Sequence, residues 1–255
     1  MPLSKKLKKL ALTGVFGAAT LGIGAAAYHV GEQRAAAPVH AAMTGEVAEQ
    51  GDGHPVLVIP GFMTNDMYMS SLKESIAQQG YVAYGWAGGL NMGLDVDEAA
   101  RLEERLSQIY AENGNQKVSL VGYSLGGVYA RELARKHPDM VRDVITLSSP
   151  FGLDDERVTG IYAHFHGEAQ NAHQAMLLPP PVPTLAVYSK NDRFVDWQTS
   201  INPPSSGARN AEVSSGHIAL PFSGEALDII AGELARGGAA VNISARNTPR
   251  PQGPQ

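Results

Sequence analysis

The sequence predicts an α/β protein whose mostly parallel sheet of about six strands is flanked by helices. Three observations carry this. Short continuous apolar runs such as Val56-Leu57-Val58-Ile59 recur through the middle of the chain, and such runs suit strands buried on both faces. They alternate with segments of helical period, the pattern of a parallel sheet covered by helices. One predicted strand passes into a helix through Gly122-Tyr123-Ser124-Leu125-Gly126, a tight glycine turn that carries a serine.

Taken in order, Val56 to Ile59 is the first strand, closed by Pro60-Gly61. A helical stretch covers about Asp66 to Gln79, and Tyr81 to Trp86 is the second strand. Asp95 opens the next helix with Glu98 three residues on, as in a capping box, and Gly114 ends it. Ala99, Leu102, Leu106 and Ile109 form its apolar stripe. Val118 to Val121 is a strand, about Gly126 to Lys136 a helix, and Val144 to Leu147 and Thr184 to Tyr188 are strands. A short strand near Ala211 to Val213 and a helix from about Gly224 to Ala235 complete the set. In sheets of this kind ligands bind beyond the carboxyl ends of the strands, so the chemistry is sought there.

The ends of the chain differ from its middle. Lys5, Lys6, Lys8 and Lys9 precede an uncharged, largely apolar run from Leu10 to Tyr28. As a helix this run spans roughly 28 Å, close to the hydrocarbon thickness of a bilayer. Lysines before the run predict an exported chain, with residues 1–30 read as a retained inner-membrane anchor in preference to a cleaved signal. Ala25-Ala26-Ala27 and Val39-His40-Ala41 are the sites at which cleavage would fall. Residues 31–53 read as a linker, 54–236 as the catalytic domain and 237–255 as a disordered tail. With 44% apolar and 18% charged residues and a net charge of −5, the chain suits one ordinary core and gives no sign of a nucleic-acid partner. It has no cysteine, which excludes disulfides, a thiolate nucleophile and cysteine-ligated zinc.

The glycine turn raises Ser124 toward solvent at the end of a strand, with the positive end of the following helix behind it. A serine hydroxyl needs a base to take its proton. His217 lies in a loop between the last strand and the last helix and is the base expected here. His29, His40 and His54 precede the core, His137 stands at a helix end, and His164, His166 and His173 fall in an insertion. Asp192, just beyond the Thr184–Tyr188 strand, is the carboxylate expected to orient the imidazole, in preference to Asp196, which is read as an exposed charge or cap. The backbone N–H groups of Phe62 and Leu125 are the donors expected to hold a developing oxyanion.

At these residues the chain resembles the α/β-hydrolase superfamily, and within it small bacterial lipases and esterases and the lipase-like domain of GPI inositol-deacylases. The carriers are Pro60-Gly61-Phe62, the Gly122–Gly127 elbow, Ile145-Thr146-Leu147-Ser148-Ser149-Pro150, the Asp192 turn and Gly216-His217. The resemblance implies a carboxylic ester hydrolase with a Ser-His-Asp triad and no cofactor or metal, on an α/β-hydrolase fold lacking the first two strands of larger members. Many relatives have His-Gly where this chain has Pro60-Gly61. The segment at about 150–181 stands where the superfamily carries its lid. Met63, Met67, Tyr123 and Phe165 are expected to line an acyl pocket, favouring an uncharged acyl ester or lipid as substrate. An acyltransferase would use the same triad. A non-catalytic envelope protein on this scaffold would usually have lost a triad member, and dehalogenation or epoxide opening would use an aspartate at the elbow.

Overall fold

The computed structural model describes residues 51–93, 97–167 and 170–237. The expected anchor, nearly all of the linker, the Asp95 cap and the tail from 238 lie outside the described residues. Among the described residues no helix is long and apolar enough to cross a membrane.

Six strands form one sheet: β1 (Pro55–Ile59), β2 (Val82–Gly85), β3 (Val118–Tyr123), β4 (Val141–Leu147), β5 (Thr184–Tyr188) and β6 (Arg209–Glu212). Their order is β2-β1-β3-β4-β5-β6 and every pairing is parallel. The chain steps outward from β1 to β2 and then returns to place β3 on the other side of β1. That reversal opens a crevice beyond the carboxyl ends of β1 and β3, where open α/β sheets take ligands.

Alternation along β1 decides the two layers of the core. Leu57 and Ile59 face one side with α2 (Glu98–Glu112), α3 (Leu125–Lys136) and the insertion helices α4 (Glu156–His166) and α5 (Ala172–Leu177). Val56 and Val58 face the other, with α1 (Ser70–Ala77) and α6 (Gly224–Ala235). All five residues of β1 are buried, as a run apolar on both faces requires. The α2 stripe of Ala99, Leu102, Leu106 and Ile109 is buried as its period predicts.

Several boundaries differ from expectation by one to four residues, three of them at tertiary contacts. The first helix starts at Ser70 rather than Asp66, because the Asp66 carboxylate accepts the N–H groups of Trp86 (3.1 Å) and Ala87 (3.0 Å) beyond the end of β2. β4 begins at Val141, three residues early, where Arg142 Nε donates to Ser119 Oγ at 3.0 Å. β6 runs over Arg209–Glu212 in register with β5.

The insertion is packed down by one buried side chain. Arg131 of α3 is 0% exposed, its Nη1 donates to Asn202 Oδ1 (2.8 Å) and its Nη2 to the carbonyls of Met176 (3.2 Å) and Leu178 (2.9 Å). Its guanidinium stacks 3.8 Å from the centre of the Phe151 ring. His166 of α4 meets the buried Glu132 at 3.1 Å, which adds a second tie to α3.

Candidate active site

The turn from Gly122 to Gly126 is built by close backbone approach. A Cβ on Gly122 would lie 2.4 Å from Gly127 Cα, and one on Gly126 would lie 2.3 Å from the Ile59 carbonyl oxygen. Only glycine fits at either position, so the Gly-x-Ser-x-Gly spacing is a packing requirement as well as a motif. Ser124 itself takes φ 50° and ψ −122°, a strained conformation for a residue with a side chain, and its N–H is held by the Leu147 carbonyl at 2.8 Å. This geometry puts the hydroxyl at the head of α3.

Ser124 Oγ lies 3.1 Å from His217 Nε2, and His217 Nδ1 lies 2.6 Å from Asp192 Oδ2. With the carboxylate accepting, Nδ1 is the donor and Nε2 is left to accept from the hydroxyl. The other Asp192 oxygen accepts the N–H groups of Phe194 (2.8 Å) and Val195 (2.9 Å). Burial pushes this carboxyl up, but the His217 hydrogen bond and charge and these two amides outweigh it and hold Asp192 below its usual range. Asp196 is elsewhere: it is exposed and caps a short turn by accepting from Gln198 N at 3.0 Å. Three residues that are 25 to 93 positions apart in sequence are therefore in line.

The loop after β1 faces the same point. A Cβ on Gly61 would lie 2.9 Å from Ser124 Cβ, so Gly61 brings the chain of Phe62 beside the serine. Leu125 is the first residue of α3 and follows Ser124 directly. A residue that sequence reasoning passed over holds this loop. Asn91 is 0% exposed, and its Nδ2 donates to the Pro60 carbonyl (2.8 Å) while its own carbonyl accepts Met63 N and its N–H meets the Thr64 carbonyl (2.9 Å). A polar residue inside a glycine-rich loop past the end of a strand was the available signal.

The expected pocket residues are divided by the structure. Met63 is 41% and Met67 67% exposed, on the loop that follows β1, and Leu90, Met92 and Ile218 are also exposed. Tyr123 is not an open wall: it is 3% exposed beneath Tyr68, with ring centres 6.0 Å apart. Phe165 is a core residue, 3% exposed and edge-on to Tyr129, because α4 turns that face toward α3. A cleft of about 280 Å³ adjoins His217, lined by Phe194, Ile218, Ala219 and Arg193 among others. A cavity of about 470 Å³ between β6 and α6 contains none of the expected site residues. Among the described residues no group of three or more His, Asp or Glu converges as a metal set.

A family model described as the alpha/beta hydrolase fold matches residues 55–172. Among solved structures, the mature form of the Bacillus licheniformis lipase BlEst2 superposes with a TM-score of 0.54 at 17% identity, covering 71% of this chain and 92% of that one. Aspergillus fumigatus lipase B gives 0.57 at 17% identity, covering 80% and 57%. The thioesterase domain from the curacin biosynthetic pathway gives 0.51 at 16% identity, covering 72% and 91%. The family match over residues 55–172 and the likeness to these solved structures show that the chain has the α/β-hydrolase fold.

Proposed function

We propose that this protein is a serine hydrolase that cleaves carboxylic esters through an acyl-enzyme on Ser124. The observation that carries the reading is the continuous line from Ser124 Oγ through His217 to Asp192, at 3.1 and 2.6 Å, on a serine held at φ 50°. His217 Nε2 takes the hydroxyl proton as Oγ attacks the carbonyl carbon, and the Asp192 carboxylate stabilises the imidazolium. The tetrahedral oxyanion is met by the N–H groups of Phe62 and Leu125, fixed dipoles each worth about 3 kcal/mol of transition-state stabilisation. Collapse expels the alcohol, which takes the proton from His217. A water then repeats the sequence and releases the acid. The exposed methionines on the loop that carries Phe62, Met63 and Met67, suit an uncharged acyl chain, since their apolar surface has no charge to pair with a polar one.

The same proposal includes export and tethering by residues 1–30, on the strength of the lysine cluster before the apolar run. A reporter active only in the periplasm, fused after Gly53, should work, and a cytoplasm-only reporter should not. The hydrolase reading is tested by labelling with a fluorophosphonate probe and by turnover of p-nitrophenyl esters. Ser124→Ala should abolish both while the unfolding transition persists. Retained turnover by the folded variant would falsify the assignment.

A further inference from the structure

The loop that carries His217 has little packing of its own. Ile218 is 56% exposed, and a side chain at Gly216 would meet only the Asn191 carbonyl, at 3.6 Å. At its start, Asn191 Nδ2 donates to the Ser214 carbonyl (2.9 Å), and at its end the Leu220 N–H closes onto the Gly216 carbonyl (2.9 Å). Between these ties, two phenols hold two consecutive carbonyls. Tyr123 Oη donates to the His217 carbonyl and Tyr68 Oη to the Ile218 carbonyl, both at 3.2 Å. The two rings are stacked, and Phe222 packs edge-on against Tyr68 with ring centres 5.1 Å apart. The imidazole is flanked by rings on two sides, Tyr123 at 5.2 Å and Phe194 at 5.6 Å.

We infer that Tyr123 and Tyr68 are positioning residues that set His217 against Ser124. This rests on the serine-hydrolase reading of that site. Tyr123 is the residue before Ser124 on β3, and Tyr68 lies on the loop that also carries Phe62. Through two side chains, the strand bearing the nucleophile and the loop bearing an oxyanion donor both grip the main chain of the base. Three segments far apart in sequence are then held in one geometry. Burial and the neighbouring Tyr68 keep the Tyr123 phenol protonated at any working pH, so its donation to the carbonyl is not lost by titration. The loop's own turn, in which the Ala219 and Leu220 N–H groups close onto the Gly216 carbonyl, leaves the His217 and Ile218 carbonyls to the two phenols, and displacement of a reacting group by about 1 Å can cost 100-fold in rate.

The test uses the full chain and the variants Tyr123→Phe, Tyr68→Phe and the double, which keep the ring stack and remove only the hydroxyls. Each single change should lower kcat about 5- to 10-fold and the double about 50-fold, within the range that misplacement allows. KM should stay within about twofold, fluorophosphonate labelling should slow in parallel with kcat, and Tm should fall by no more than about 4 °C, the equivalent of one hydrogen bond in a domain of this size. The low-field proton that His217 Nδ1 donates to Asp192 should broaden or vanish in the double variant. Unchanged rates with an unchanged proton signal overturn the inference. So does a loss of rate carried by KM, or one that appears only at temperatures where the variant unfolds. If Tyr123→Phe does not fold, Tyr68→Phe alone decides, because its hydroxyl meets Ile218 at the surface. Wild-type protein that takes no label sinks the serine-hydrolase reading, and the proton signal then tests the tyrosines by itself.

Discussion

Replacing Arg131 with methionine should harm the protein less than replacing it with lysine. Arg131 is fully buried, and its three hydrogen bonds go to the Asn202 amide oxygen and to the carbonyls of Met176 and Leu178, with no carboxylate among them. Its Nε has no partner. Burial pulls its pKa down to about 9. A drop of that size corresponds to about 5 kcal/mol as the net cost of keeping the guanidinium charged inside the protein. Methionine removes that cost while filling the same channel. It leaves Met176 O and Asn202 Oδ1 unpaired, at about 2 kcal/mol each, whereas Leu178 O keeps its bond from Arg135 at 2.8 Å. Loss of the stacking on Phe151 adds about 2 kcal/mol. The opposing terms nearly cancel, and Arg131→Met should destabilise by about 1 kcal/mol. Lysine keeps the burial cost, reaches one acceptor at a time and cannot stack as a plane, so Arg131→Lys should cost about 4 kcal/mol. Urea unfolding of both variants gives the comparison, with the midpoint read against an unchanged slope. Limited proteolysis of residues 150–181 should rise first in the lysine variant. A lysine variant as stable as the methionine variant, or more so, would show that the guanidinium's charge is not what the site is carrying.

Asp192→Asn should lower kcat by about 10⁴, as when the orienting acid of a triad is neutralised, while Asp196→Asn should leave it within about twofold; the two rates under matched conditions decide between them. His54 is buried against Ser119 at 3.0 Å, and burial, helped by Arg142, lowers its pKa to about 3. The unfolded chain then takes up a proton that the folded one refuses. Stability from this group is complete above about pH 6.5 and falls as pH drops toward 3, by up to about 1.4 kcal/mol per pH unit. Urea midpoints at pH 7 and pH 5 should show this loss, and His54→Gln should flatten it. Phe165→Asp should act on stability rather than on acyl preference, costing about 4 kcal/mol because a carboxylate replaces a core ring. A folded variant with altered chain-length selectivity would return Phe165 to the acyl path.

Much of the architecture was legible in the residues. The strands β1, β3 and β5 stand out because a strand buried on both faces is apolar at nearly every position, and that is a local property. The α2 stripe was equally legible, since the helical period is local too. Ser124, Asp192 and His217 could be named from their places after β3, β5 and β6, because a parallel sheet delivers all its carboxyl ends to one edge. Periodicity carries no such information about which distant side chains meet. Only the folded chain brings Asn91 to Pro60, Tyr123 to the His217 carbonyl and Arg131 to Asn202, pairs 31, 94 and 71 residues apart. The same limit explains the misplaced start of α1, where Asp66 answers to Trp86 and Ala87 rather than to its own helix. It also explains Phe165, an aromatic whose sequence is equally suited to a pocket or a core. The sequence alone determined the sheet, the tight glycine turn at Ser124 and the order of the three polar residues, because strand burial and turn sterics act over a few neighbouring positions. The tertiary structure decided which side chains hold them in place, because those contacts depend on how the whole chain closes.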